Sequence, residues 1–166
     1  MPLPETLLSV LIVNFNTRLL TCQCLRSLLP EARALGAQVI VVDNGSTDGS
    51  PEAIGAEFPE VEVMALDGNL GFGAANNRAA ARSAARYLLL LNSDTIMHTG
   101  ALRALIDCAN VYSDAGAVGA GGATFDSDAG AADSGGEVFD SVLGVMPASP
   151  PEFDPPVPVP SCSLVL

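Results

Sequence analysis

The 166-residue sequence has no Trp, and its seven basic residues are all Arg, so Lys is missing as well. A phosphate-binding loop of the G-x-x-x-x-G-K-[ST] type is thereby excluded, since its Lys has no candidate. Cations are scarce against 19 acids, and the net charge is −12. Ten acids and all seven Arg lie within 1–103, while nine acids and no Arg follow. Nucleic acid and an anionic membrane surface both require clustered basic groups, so neither is expected as the main partner, and any membrane contact is peripheral. A ligand carrying phosphate would need its charge neutralised by something other than this surface.

No long apolar run is present. The N-terminal MPLPETLLSVLIVNF lacks the basic segment of a signal peptide, and its apolar stretch falls well short of the about 20 residues that span a bilayer. The expected location is the cytoplasm, including the inner face of the membrane. The four Cys, at 22, 24, 108 and 162, show neither a paired C-x-x-C metal spacing nor the density of a secreted disulfide scaffold. They are expected to be reduced and structural. His98, the sole histidine, is either a metal ligand or an exposed residue at the mouth of a helix, and no ligand spacing repeats near it.

What is present suits a globular chain of about one domain: 49% of residues are apolar and only 16% charged. SVLIVNF (9–15) is an apolar, β-branched run, too short for a helix core and continuous enough for a strand buried on both faces. Leu20, Cys24, Leu25 and Leu28 then recur at helical spacing through 17–36, where Gly36 stops the helix. AQVIVVD (37–43) predicts a second buried strand, and NGSTDGS a polar turn. Ser50 and Pro51 open a short helix. VEVMAL (61–66) predicts a third strand, GNLGFG (68–73) a loop, AANNRAAARSAAR (74–86) a helix, YLLLLN (87–92) a fourth strand, and 100–110 another helix.

Strands alternating with helices at this spacing predict an α/β fold with a mostly parallel central sheet flanked by helices. Beyond about Gly116 the pattern weakens. A fifth short strand is expected within 116–140, in sequence otherwise rich in Gly, Ala, Asp and Ser, followed by Pro-rich extended chain. The division expected is therefore a domain over 1–125 and a Gly/Asp/Pro-rich segment over 126–166. The terminal CSLVL has no closing turn and is expected to be an interruption rather than an ending.

In such sheets ligands collect at the carboxyl ends of the strands. The segments 14–16, 43–46, 67–69 and 92–94 all stand at or just past a predicted strand end, so their polar residues should converge on one rim. Asp94 facing a diphosphate at about 4 Å would be repelled by roughly 4 kcal/mol at an effective dielectric near 20. A hard divalent cation, Mg²⁺ or Mn²⁺, reverses that sign, because it is held by one or two carboxylates together with phosphate oxygens. Asp94 is thus either a metal ligand or the cap of the following helix or turn. Asp43 either accepts from a sugar hydroxyl or base edge, or closes an Asx turn. Gly71 and Gly73 permit close backbone approach.

SVLIVNFNT, VIVVDNGSTDGS, GNLGFGAANNRA and YLLLLNSDT, in this order and spacing, resemble the donor-binding part of family 2 glycosyltransferases of the GT-A fold, with the rhamnosyltransferase-like members nearest. The likeness covers about residues 8–125. It implies transfer of a sugar, with inversion, from a nucleotide-diphosphate sugar to a saccharide or lipid-linked acceptor, in cell-surface polysaccharide synthesis. It implies that Val13, Asn14, Phe15 and Asn16 line the nucleoside pocket, that Asp43 holds base or ribose, and that Asn69, Gly71 and Asn77 lie near the nucleotide sugar. Asn92, Ser93 and Asp94 stand where the family has D-x-D, with Asn92 in place of the first Asp and Asp94 as the metal ligand.

The family's catalytic base lies downstream, in an acidic motif that this sequence does not show. Asp126, Asp128, Asp133, Glu137 and Asp140 sit in Gly-rich sequence and read as a solvated loop. A non-catalytic nucleotide-sugar-binding module is therefore the alternative. A dinucleotide-dependent oxidoreductase fits the sheet but not the detail, because NTR stands after the first strand where G-x-G-x-x-G belongs.

Overall fold

A computed structural model of the chain describes residues 6–111, 118–121 and 142–147, the last two segments as backbone strands. Ten elements follow in order: β1 Leu8–Asn14, α1 Arg18–Leu35, β2 Gln38–Asp43, α2 Ser50–Glu57, β3 Glu62–Ala65, α3 Phe72–Ala80, β4 Tyr87–Asn92, α4 Ala101–Val111, β5 Val118–Gly121 and β6 Val142–Pro147. They form one sheet in the order β3-β2-β1-β4-β6-β5. β1 pairs in parallel with β2 and β4, and β2 with β3, while β6 runs antiparallel to both β4 and β5. The expected α/β class with a mostly parallel, helix-flanked sheet is what the chain adopts.

β1 sits inside the sheet because nearly every residue in it is apolar, with both faces covered. Leu8, Val10 and Ile12 pack with Cys24, Leu25, Leu28, Ile54, Leu102 and Leu105 of α1, α2 and α4. Leu11 points the other way, against Ile40, Val42, Leu88 and the Ala75 and Ala79 face of α3. Each such side chain contributes about 2 kcal/mol by leaving water. The chain therefore winds α1 and α2 on one face and returns through α3 on the other, from edge strand β3 to β4 beside β1. The reversal of strand order lies between β1 and β4, which is where α/β sheets open a crevice for ligands.

Helix ends follow local chemistry. Gly36 terminates α1 at φ 63°, with its N–H bonded to Arg33 O and that of Ala37 to Ala32 O. Pro30 removes one internal bond from α1, yet the helix continues because Leu28, Leu29 and Ala32 around it are buried.

Two expectations are corrected. The helix expected over 74–86 begins earlier, at Phe72, and ends at Ala80. Ser83 turns the chain with an N–H bond to Ala80 O, and its hydroxyl bonds Ser9 Oγ, while the N–H groups of Arg86 and Tyr87 join Thr6 and Leu7 in the sheet. VLGVMP (142–147), which had been expected as part of a loop-rich segment, forms β6 between β4 and β5. The short strand expected within 116–140 is β5.

Cys22 and Cys24 are buried and form no disulfide. Burial, with a lesser push from Asp94, drives the Cys24 thiol up to about 12, so it stays protonated and inert at neutral pH. Cys162 lies outside the described residues. No helix among the described residues is long and apolar enough to cross a membrane.

Candidate functional site

The strand ends converge as the spacing implied. Register places Asn14 of β1 opposite Asp43 of β2, and Val13 opposite Asn92 of β4. Asn14 is fully buried and Asp43 is 1% exposed. Asn14 Nδ2 donates to Asp43 Oδ1 at 2.5 Å and to Ser46 Oγ at 3.1 Å. Its Oδ1 accepts from the hydroxyls of Thr17 at 2.8 Å and Thr21 at 2.7 Å. The other Asp43 oxygen accepts from Ser46 N at 2.9 Å, closing the turn after β2. Asn14 and Asp43, both expected against the nucleoside, thus direct their polar atoms at the protein, and the hydrogen-bonding capacity of Asn14 is fully used.

Around this buried pair the loops are tied to one another. Asn16 stands at φ 54°, a left-handed conformation that Asn tolerates, where its N–H donates to Ser46 Oγ and its Oδ1 accepts from Thr47 N, both at 2.8 Å. Asn44 Nδ2 donates to Asn69 Oδ1 at 2.9 Å, and Asn44 Oδ1 accepts from Leu70 N at 2.8 Å. Asn69 Oδ1 also accepts the Gly71 N–H at 2.8 Å. The turn after β2 and the loop after β3 therefore share one network.

Gly45 makes their contact possible. At φ +83° a Cβ there would stand 2.7 Å from Gly68 Cα and 2.8 Å from Gly68 C. Gly45→Ala combines a left-handed non-Gly residue with a backbone clash and should cost about 2–3 kcal/mol in chemical denaturation. A variant as stable as the parent would show that the two turns are free to separate.

The β4 end is held differently. Ser93 Oγ lies 3.2 Å from Thr17 Oγ1, and the Asn92 carbonyl accepts from Thr95 N at 3.2 Å. Met97 N donates to Ser27 Oγ, and the Leu102 and Arg103 N–H groups at the start of α4 donate to the Glu31 carboxylate. α1 thus pins both ends of the segment carrying Asp94, and Glu31 supplies the cap that Asp94 might have supplied. Asp94 itself is exposed, and its carboxylate accepts no hydrogen bond from any described residue.

Of the remaining expected residues, Phe15 is 45% exposed, and Asn69, Gly71 and Asn77 are exposed. Val13 is half-buried against the Leu11 cluster. Asn77 makes no bond to the network; its neighbour Asn76 is the packed one, bonded to Phe72 O. His98 is exposed just before the turn that opens α4. No group of three His, Cys, Asp or Glu able to hold a metal occurs among the described residues. Asp126, Asp128, Asp133, Glu137 and Asp140 lie outside them. Thr17 and Thr21 were missed; the hydroxyls at three and seven residues after Asn14 were the available signal.

The fold is shared with solved glycosyltransferases. Residues 1–349 of TarS from S. aureus, in complex with UDP-GlcNAc, match with a TM-score of 0.61 at 20% identity, over 78% of this chain and 38% of that one. The mannosyltransferase PcManGT of Pyrobaculum calidifontis, solved with GDP-Man and Mn²⁺, matches with a TM-score of 0.59 at 18% identity, over 76% and 38%. These likenesses define an α/β architecture of the GT-A type. The model of glycosyl transferase family 2 matches residues 9–137, and the chain belongs to that family. Among curated relatives, the N-acetylglucosaminyl-diphospho-decaprenol L-rhamnosyltransferase of Mycobacterium tuberculosis is 34% identical over 92 residues, covering 49% of this chain and 30% of that one. The succinoglycan biosynthesis protein ExoO of Rhizobium meliloti is 35% identical over 74 residues, covering 44% and 21%. The chain spans less than a third of the length of either relative.

Proposed function

We propose that the chain holds a nucleotide-diphosphate sugar across the carboxyl ends of β1, β2 and β4, as the donor side of an inverting, metal-dependent transfer to a saccharide or lipid-linked acceptor. The observation that carries this reading is the Asp94 carboxylate, exposed at the end of a buried strand and bonded by no described residue, while the polar groups around it satisfy one another. Family membership supports it, as do the names of the relatives, a diphospho-decaprenol rhamnosyltransferase and a succinoglycan biosynthesis protein.

The residues present fit a divalent cation of the Mg²⁺ or Mn²⁺ type. Such ions take oxygen ligands, keep several waters, and are commonly held by one or two carboxylates plus substrate phosphates. Asp94 supplies the carboxylate, with Asn92 and Ser93 oxygens beside it, and donor phosphate and water would complete the shell. When bound, the ion neutralises charge developing on the departing diphosphate.

The chain's own groups do the rest. Phe15 offers a half-exposed ring for a nucleobase. The Asn14–Asp43–Ser46 network holds the turn after β2. Gly71, with open space where a side chain would stand, lets the sugar diphosphate approach the backbone. Arg18, at the first turn of α1, has no ion pair among the described residues and is a cation within a strongly anionic chain. The acceptor hydroxyl enters from the face opposite the diphosphate, which sets inversion. Cytoplasmic placement, at most touching the inner membrane face, is consistent with a lipid-linked acceptor.

Titration calorimetry with UDP-, dTDP- and GDP-sugars, each with and without Mn²⁺, tests the reading. At least one donor should bind about tenfold or more tightly with the ion. Equal affinity in both conditions for every donor would sink it.

A further inference from the structure

Thr17 occupies the residue before α1, where a Thr hydroxyl ordinarily caps the helix, yet it makes no cap hydrogen bond. Its hydroxyl instead lies against Asn14 Oδ1 and Thr21 Oγ1 and, across the rim, Ser93 Oγ, a local rule broken in favour of the rim. The directions of those bonds follow from the chemistry of the groups. A carboxylate only accepts, so the Asn14 atom 2.5 Å from Asp43 Oδ1 is the amide nitrogen, and Asn14 Oδ1 faces Thr17 and Thr21. Thr17 gives its one proton to Asn14 Oδ1 at 2.8 Å. With that proton assigned to the shorter contact, Ser93 Oγ is the donor across the 3.2 Å contact with Thr17.

A polarised path results, from Ser93 through Thr17 and Asn14 to Asp43, crossing the ends of β4, β1 and β2 at the point where strand order reverses. Ser93 precedes Asp94. With its proton directed inward, the Ser93 hydroxyl presents lone pairs outward, which suits a cation rather than a phosphate oxygen. At the far end, the turn after β2 is held by Asp43 and Ser46.

Resting on the donor-site reading above, we infer that Thr17 is a positioning residue that couples the nucleoside end of the rim to the Ser93–Asp94 turn, so that cation and nucleoside diphosphate bind interdependently. Substituting it uncouples the two ligands without abolishing either binding surface.

The test measures, by calorimetry, the factor by which Mn²⁺ tightens whichever of UDP, dTDP or GDP the parent chain binds best, alongside affinity for the corresponding nucleoside. In Thr17→Val that factor should fall about tenfold, a typical coupling magnitude, while nucleoside affinity stays within about twofold. Thr17→Ser, which keeps the hydroxyl, should restore the factor. Thr17→Ala, which also removes the hydroxyl, should lose as much as Thr17→Val. Thr17→Ala carries the test alone if thermal unfolding shows that Thr17→Val does not fold. A parent-like factor in Thr17→Val, or in Thr17→Ala where that variant stands alone, overturns the relay. So does a loss of nucleoside and nucleotide affinity in equal proportion, which marks a purely structural role. If the parent itself shows no Mn²⁺ effect, the donor-site reading falls together with the relay, whereas coupling in the parent that survives in the variants removes the relay alone.

Discussion

Asp94→Asn is expected to lose about 100-fold or more of its Mn²⁺-supported affinity for a nucleotide-sugar donor, while unfolding at the parent's temperature. Loss of a mere supporting group around a bound metal typically costs 10–100-fold, and a direct carboxylate ligand should cost at least the upper end of that range. Asn keeps the size of the side chain and removes the charge that offsets repulsion between the rim and a diphosphate. Stability should be spared because no described N–H or hydroxyl bonds that carboxylate, and the start of α4 is capped by Glu31 instead. Calorimetry and thermal unfolding on the same preparation separate the two effects. Unchanged affinity would move the cation elsewhere, and a lowered unfolding temperature would restore the capping role.

The largest loss of stability should come from Asn14→Leu. The side chains are close in volume, but Leu withdraws a donor from Asp43, another from Ser46, and the acceptor used by Thr17 and Thr21. A carboxylate that is 1% exposed would keep one protein donor, the Ser46 N–H. Buried charges stripped of a partner cost far more than neutral hydrogen bonds, so the expected loss is roughly 3–4 kcal/mol. At about 2–4 °C per kcal/mol for a chain of this size, unfolding should shift downward by about 10 °C. The double variant Asn14→Leu/Asp43→Leu, apolar on both sides, should recover part of the loss. Failure to recover would mean that Asp43 was not the group left stranded.

Much of the architecture was legible in the sequence, for reasons visible in particular segments. SVLIVNF, AQVIVVD and YLLLLN are too apolar to face water and too short for helices, so they could only be strands covered on both sides. Gly36 marked the end of α1 because the chain needs a left-handed residue there. Other features were not legible. The Ala-rich run after α3 has high helical propensity to Arg86, and it stops at Ala80 because Arg86 and Tyr87 are drawn into the sheet by Thr6 and Leu7. VLGVMP gave no strand signal strong enough among Gly and Pro, and its partner β4 is remote in sequence. Thr17 stands just before α1, and only the neighbouring strand end shows what its hydroxyl touches.

The order of residues along the chain by itself determined which polar groups stand at strand ends, since that depends only on where each apolar run stops. Tertiary structure decided which of them bind each other and which are left over. Asn14 and Asp43 consume one another because strand register sets them side by side, whereas Asp94, equally polar and equally terminal, meets no donor among the described residues and faces outward. Hydrogen bonds are made with neighbours in space, and the order β3-β2-β1-β4 that chooses those neighbours is a property of the packed sheet.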